Sequence, residues 1–89
     1  MPKVVITHAV EDVARWLEGK AERATAVEAL SGSNVSDYVA RDGSNNVAVV
    51  CDVSDPAAIQ AELDNPSPEV AEPMQKHGVI PPLTMYVQA

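Results

Sequence analysis

Four stretches of this chain alternate apolar and polar residues with period two, and the segments between them repeat with the period of a helix. Lys3–Val10 puts Val4, Ile6, His8 and Val10 on one side and Val5, Thr7 and Ala9 on the other, the pattern of a strand. Asp12 then stands where an N-cap belongs. From it, Val13, Trp16, Leu17, Ala21, Ala24, Val27 and Leu30 recur at helical spacing and predict one helix over residues 13–30, with a bend allowed at Gly19. Residues 34–41 predict a second strand, with Val35, Asp37 and Val39 on one face and Ser36, Tyr38 and Ala40 on the other. The cluster Asp42-Gly43-Ser44-Asn45-Asn46 reads as a turn, and residues 47–53 form a β-branched third strand that closes a hairpin with the second. Asp55-Pro56 opens a second helix that stops by Asn65-Pro66. Ser67-Pro68-Glu69 opens a short helical segment with Val70, Met74 and His77 on one face, ended by Gly78. Pro81-Pro82 forces extended chain into a last strand over residues 83–88, with Leu83, Met85 and Val87 on one side and Thr84, Tyr86 and Gln88 on the other.

The order β-α-β-β-α-β is the ferredoxin-like plan, an α+β fold in one domain spanning residues 1–89. It predicts a four-stranded antiparallel sheet of order 4-1-3-2 with the helices on one face. Residues 4–12 also align with residues 47–55, and His8 falls level with Cys51 in that internal echo. The more apolar strand rows should meet the helices. The opposite face, with Thr7, Ser36, Tyr38, Val50, Thr84 and Tyr86, is too apolar to be left wet and too polar for a core. Pairing it with the same face of a second copy, through Tyr38, Val50 and Tyr86, would close a barrel across a two-fold axis.

Composition narrows the possibilities. Eighty-nine residues bury a modest core, and with no Phe, one Trp and two Tyr the large aromatic contributors are nearly missing, which also favours a homodimer. Six Lys and Arg against thirteen Asp and Glu give a net charge of −7, so no nucleic-acid partner is expected. No apolar run approaches a bilayer span, and Met1-Pro2-Lys3-Val4 lacks the features of a signal peptide, so the expected location is the cytoplasm, away from membranes. One cysteine excludes an internal disulfide. Two His and one Cys without paired spacing make no zinc signature, and there is neither a Gly-rich phosphate loop nor a Gly-x-Ser-x-Gly elbow.

Two polar residues interrupt the helix-facing rows: His8 and Asp37. A buried ionisable group is either satisfied locally or kept for chemistry. His8 thus reads as a core histidine bonded near a strand end, or as a pocket acid/base. Asp37 reads as a solvated charge guarding a sheet edge, or as a polar anchor. His77, in the last turn of a helix, either complements the helix dipole or acts as a second acid/base. Trp16 is core or a pocket wall. The 4-1-3-2 order is expected to set His8 beside Cys51, which is a buried inert thiol or half of a Cys-His pair. Cys51 and Met85, on helix-facing rows, complete the expected substrate-binding set with Trp16 and Asp37. Glu11 and Arg15 read as an ordinary i,i+4 pair.

The run Thr7-His8-Ala9-Val10-Glu11-Asp12-Val13-Ala14-Arg15-Trp16 resembles the signature His-x-Val-x-Asp-(Tyr/Val)-x-x-Trp of small dimeric α/β-barrel proteins. These include antibiotic-biosynthesis monooxygenases, stress-responsive A/B-barrel proteins and small polyketide cyclases. The stretches Asp42–Val49, Val53-Ser54-Asp55 and Met74–Pro82 extend the resemblance over nearly the whole chain. The resemblance implies a homodimer closed by sheet packing, a pocket between helices and sheet, and chemistry without metal or organic cofactor on a hydrophobic small molecule. By it, His8 and His77 take the acid/base positions of the cyclases and Trp16 the place of a pocket aromatic. The expected function is a cyclase, isomerase or lyase acting on a hydrophobic carbonyl or polyketide-like substrate. The alternatives are a cofactor-free monooxygenase and a non-catalytic ligand-binding or structural homodimer.

Overall fold

A computed structural model describes residues 1–89. The elements follow in the order β1 (Lys3–Val10), α1 (Val13–Leu17), α2 (Lys20–Ala29), β2 (Gly32–Val39), β3 (Asn46–Val53), α3 (Pro56–Asp64), α4 (Pro68–Lys76) and β4 (Val79–Val87). The four strands form one antiparallel sheet of order β2-β3-β1-β4, the 4-1-3-2 arrangement of the ferredoxin-like fold. The alternation on β1 and β3 is the predicted one: Val4, Ile6, His8 and Val10, with Val47, Val49, Cys51 and Val53, are buried under the helices. The caps are those the sequence places. Asp12 Oδ1 accepts the Arg15 N–H at 3.2 Å, and Asp55 Oδ1 accepts the Ala58 N–H at 3.3 Å, with Pro56 in the first turn of α3.

Three boundaries differ from the sequence prediction, each for a local reason. The single helix over residues 13–30 is two helices, broken at Glu18 and Gly19. Gly19 is buried, and a Cβ built there would lie 2.6 Å from the His77 ring, so a side chain is excluded by the close approach of α4's end. The break changes the phase of the second segment, and Leu17 becomes exposed while Arg23 turns inward. The last strand begins at Val79, before Pro81-Pro82, instead of at Leu83. Both prolines are accommodated because β4 is an edge strand, where a missing N–H breaks no obligatory ladder. The ladder shifts there: Thr7 pairs with Thr84 and Ala9 with Ile80, so the irregularity falls at His8. Finally, β2 starts at Gly32 and its pairing with β3 shifts between Ser33 and Ser36, where Asn34 takes a left-handed φ of 53°.

The core forms two clusters. Val4, Ile6, Cys51, Val53 and Ile59 pack at one end of the sheet, and Val10, Trp16, Val47 and Val49 at the other. Neither α2 nor α4 contains a buried residue. Val27 of α2 packs on the first cluster, and the rest of their half-buried inner faces border a space against the sheet. No helix is long and apolar enough to cross a membrane.

Candidate active site

That space is a cavity of about 120 Å³ between the sheet and the helices, with walls from both core clusters: Ile6 and Ile59 from one, Trp16 and Val49 from the other. The remaining lining is mostly apolar side chains of α2, α3, α4 and β4, with His8, Arg23, Glu62 and His77 as its ionisable members.

His8 is 8% exposed and sits at the ladder irregularity of β1. Its Nδ1 lies 2.9 Å from the Ala9 carbonyl oxygen, which can only accept, so a neutral ring carries its proton on Nδ1 and leaves Nε2 as a free base. Burial holds the imidazole below its ordinary value of 6.5; the Arg23 charge acts in the same direction, and the Ala9 bond opposes them. The ring meets Trp16 edge to face, with centroids 5.9 Å apart at 77°.

Trp16 is fully buried and Arg23 lies across it, its guanidinium carbon 3.9 Å from the ring centroid. Arg23 Nε donates to Asp37 Oδ1 at 2.9 Å, and Nη1 donates to the Trp16 carbonyl at 3.3 Å. The Asp37 side chain is 4% exposed although β2 is an edge strand, because α2 lies over that face. Asp37 therefore stands behind Arg23 and fixes it, and is not itself a wall of the cavity. Two buried polar atoms make no hydrogen bond within the protein: Trp16 Nε1 and Arg23 Nη2.

His77 is buried at the C-terminal end of α4, on the same cavity, in the niche that Gly19 leaves open. Arg15 holds this end of α4: its Nε donates to the Lys76 carbonyl at 2.8 Å and Nη2 to the Gln75 carbonyl at 2.9 Å. The Arg15–Glu11 contact predicted from spacing is present at 3.4 Å, but the arginine's shorter bonds go to α4.

The structure thus brings His8, Trp16 and His77 to one cavity, with Asp37 one residue removed through Arg23. Cys51 and Met85 do not line it. Cys51 pairs with Val4, and His8 with Val47, so the expected Cys51–His8 neighbourhood does not occur. The internal echo runs both segments in the same direction, whereas β1 and β3 are antiparallel, which puts its matched residues at opposite ends. The Cys51 thiol packs in the first cluster, where burial and then the Asp52 charge push its pKa upward. Met85 packs against that same cluster, on an edge strand beyond the cavity. Arg23 is the site residue absent from the expected set. Its signal is present in the sequence: Trp16, Arg23, Val27 and Leu30 share a helical row, and Arg23 interrupts it as His8 interrupts its strand. No group of three or more His, Cys, Asp or Glu side chains is placed to hold a metal ion.

On the sheet face away from the helices, Val50 pairs with Val5 and Val5 with Tyr86, so these three form one row across the sheet. Tyr38 lies on the same face opposite Ala48. Tyr38 and Tyr86 are 54% and 60% exposed.

No family model matches the chain, and no curated protein matches it by sequence. Solved structures do match. An antibiotic biosynthesis monooxygenase is 12% identical with a TM-score of 0.59, over 100% of this chain and 97% of that one. A Nitrosomonas europaea protein assigned by inference to the antibiotic biosynthesis monooxygenases is 6% identical with a TM-score of 0.64, over 100% and 97%. A Mycobacterium tuberculosis structure is 17% identical with a TM-score of 0.55, over 100% and 94%. At these identities the likeness is one of fold, and it is the fold that the sequence resemblance implies.

Proposed function

We propose that this chain is a cofactor-independent monooxygenase for a small apolar substrate, working as a cytoplasmic homodimer. The observation that carries the reading is His8. It is buried, held neutral, and has its donor nitrogen committed to Ala9, so that Nε2 is a base on the wall of an apolar cavity. The fold neighbours named above support oxygen as the co-substrate.

In this reading His8 Nε2 removes a proton from an activated CH2 beside a carbonyl, including the keto tautomer of a phenol. The positive charge of Arg23, a residue of the cavity lining, stabilises the negative oxygen that results. The carbanion form of the substrate reduces O2. The C–O bond then forms to give a hydroperoxide, and loss of water converts the original CH2 to C=O. One O2 is consumed and one water released per turnover, so no external reductant is required. The protonated His8 returns that proton to the peroxide, and the second C–H proton leaves with the departing oxygen as water; His77 lies on the same cavity wall. At about 120 Å³ the cavity matches a one-ring guest, since an engineered cavity of about 150 Å³ holds benzene.

A cyclase or isomerase would use the same base and the same positive charge without oxygen, and the shared first step favours it as the second reading. The experiment that separates them is an oxygen-electrode assay with one-ring hydroquinones. The proposal requires oxygen uptake that is abolished by His8→Gln. Exchange of substrate protons with solvent deuterium, without oxygen uptake, would support the second reading instead.

The homodimer rests on the row Val50, Val5, Tyr86 and on Tyr38, an apolar face that no part of the chain covers.

A further inference from the structure

We infer that α4 is a movable lid on the cavity, latched by Arg15, and that an apolar guest enters and leaves as this lid opens. This reading rests on the cavity of the proposed function and needs no oxygen chemistry. The other walls are fixed to the core. Trp16 of α1 and Ile59 of α3 are buried members of the two clusters, and Val27 of α2 and Leu83 of β4 pack against the first. The Arg23–Asp37 bond at 2.9 Å also ties α2 to the sheet. Among the helices, α4 alone contributes no residue to either cluster. Its inner row, Val70, Pro73 and Met74 with His77 at the C-cap, fronts the cavity instead.

The helix is weak by itself. At nine residues it is shorter than the roughly 12–15 that an isolated helix needs. Pro73 has no N–H, which leaves the Glu69 carbonyl without its usual helical donor. The ends are pinned: the Glu62 carboxylate accepts the Ser67 N–H and hydroxyl at 3.2 Å, and the Gly78 carbonyl accepts the Glu11 N–H at 2.9 Å. Between these pins, the last turn is held down from α1 and α2. Arg15 donates to the Gln75 and Lys76 carbonyls, Lys76 meets Glu22 at 3.0 Å, and the His77 ring sits in the Gly19 niche. The side chains of Arg15, Lys76 and Glu22 are half exposed, so water replaces their bonds at small cost. Unwinding from the last turn back to Pro73 therefore belongs among the low-cost motions of the fold. It carries Met74 and His77 off the cavity and leaves both core clusters intact. A guest touches these residues only while the helix is down, so binding favours the closed lid.

The test uses benzene as the probe and two variants that push the lid in opposite directions. Arg15→Ala removes the latch, and Pro73→Ala restores the missing helical N–H. Amide exchange reads the opening, and NMR magnetisation exchange between free and bound benzene reads entry and exit. In Arg15→Ala the α4 amides should exchange about ten-fold faster with β1 and β3 unaffected, and benzene should leave about ten-fold faster. In Pro73→Ala both rates should fall by about five-fold or more. Benzene at about ten times its dissociation constant should slow α4 exchange in the parent protein about ten-fold, because the open lid does not hold it. Benzene rates that ignore both variants, α4 exchange that ignores bound benzene, or no binding of benzene overturns the inference. If either variant does not fold, the other variant and the parent's response to benzene still decide. Oxygen uptake is scored separately: its absence with the lid response intact sinks the monooxygenase reading and leaves the lid. His8-dependent uptake with an unresponsive α4 does the reverse.

Discussion

Burial of His8 beside Trp16 and Arg23 fixes the direction of its titration, and with it a pH dependence. The folded-state value lies below the ordinary 6.5, so between the two the unfolded chain takes up a proton that the folded chain refuses. Stability is thus fully present above about pH 6.5 and is lost as the pH falls through the lower folded value. His8→Gln should flatten that slope in thermal melts recorded from pH 5 to 8. The same change should lower turnover by about 10²–10⁴-fold, the usual worth of a positioned general base, and remove the acid limb of the rate profile. Retention of the limb would assign it to another group. Cys51 gives a second residue-scale expectation. Its thiol is fully buried and its pKa raised, so a disulfide reagent should leave it unmodified in the folded protein and label it fully in denaturant.

The helix break shows what element-level pattern can and cannot convey. The strand alternation, the two capping Asp residues and the helix-facing rows are legible because each depends on neighbours a few positions apart. The break at Gly19 is not legible, because its cause is His77, fifty-eight residues later in sequence (77 − 19). The same holds for Arg15, whose partners are the last carbonyls of α4, and for the Cys51–His8 pairing, which antiparallel register forbids. Asp37 and His8 are legible as polar residues on apolar strand rows, and Arg23 is legible in the same way on the helical row of Trp16, Val27 and Leu30; that Arg23 joins Asp37 to Trp16 is not, because that pairing is set by how α2 lies over β2. Gly19→Ala tests this element directly. Helix propensity alone predicts a gain of about 1 kcal/mol. The contact with His77 predicts instead a loss of about 1–3 kcal/mol, recovered in part by adding His77→Ala, as a double-mutant cycle in chemical denaturation would read. Arg15→Ala should free the end of α4, seen as faster amide exchange in residues 74–77 with β1 and β3 unaffected.

At the scale of the whole molecule, two surfaces of the sheet serve two ends. The helix side carries two packed clusters with a cavity between them, and the open side carries an apolar row flanked by tyrosines. Packing in this small, aromatic-poor chain is incomplete on both sides, and the proposed reading gives each side an occupant: a one-ring guest in the cavity and a second copy on the sheet. Sedimentation equilibrium should return a dimer, and Tyr86→Asp should shift it toward monomer, since a charge opposite a like charge across a two-fold axis repels itself. A parent protein that is monomeric at high concentration would remove the dimer from the account while leaving the cavity untouched.

The most direct test of the central claim, that His8 presents a neutral base to the cavity, is a ¹⁵N NMR titration of the imidazoles. With only two histidines in the chain, assignment needs one variant, His77→Gln. His8 should carry its proton on Nδ1, leave Nε2 unprotonated at neutral pH, and titrate below 6.5. A proton on Nε2 in the neutral ring, or a titration at or above 6.5, would contradict that claim.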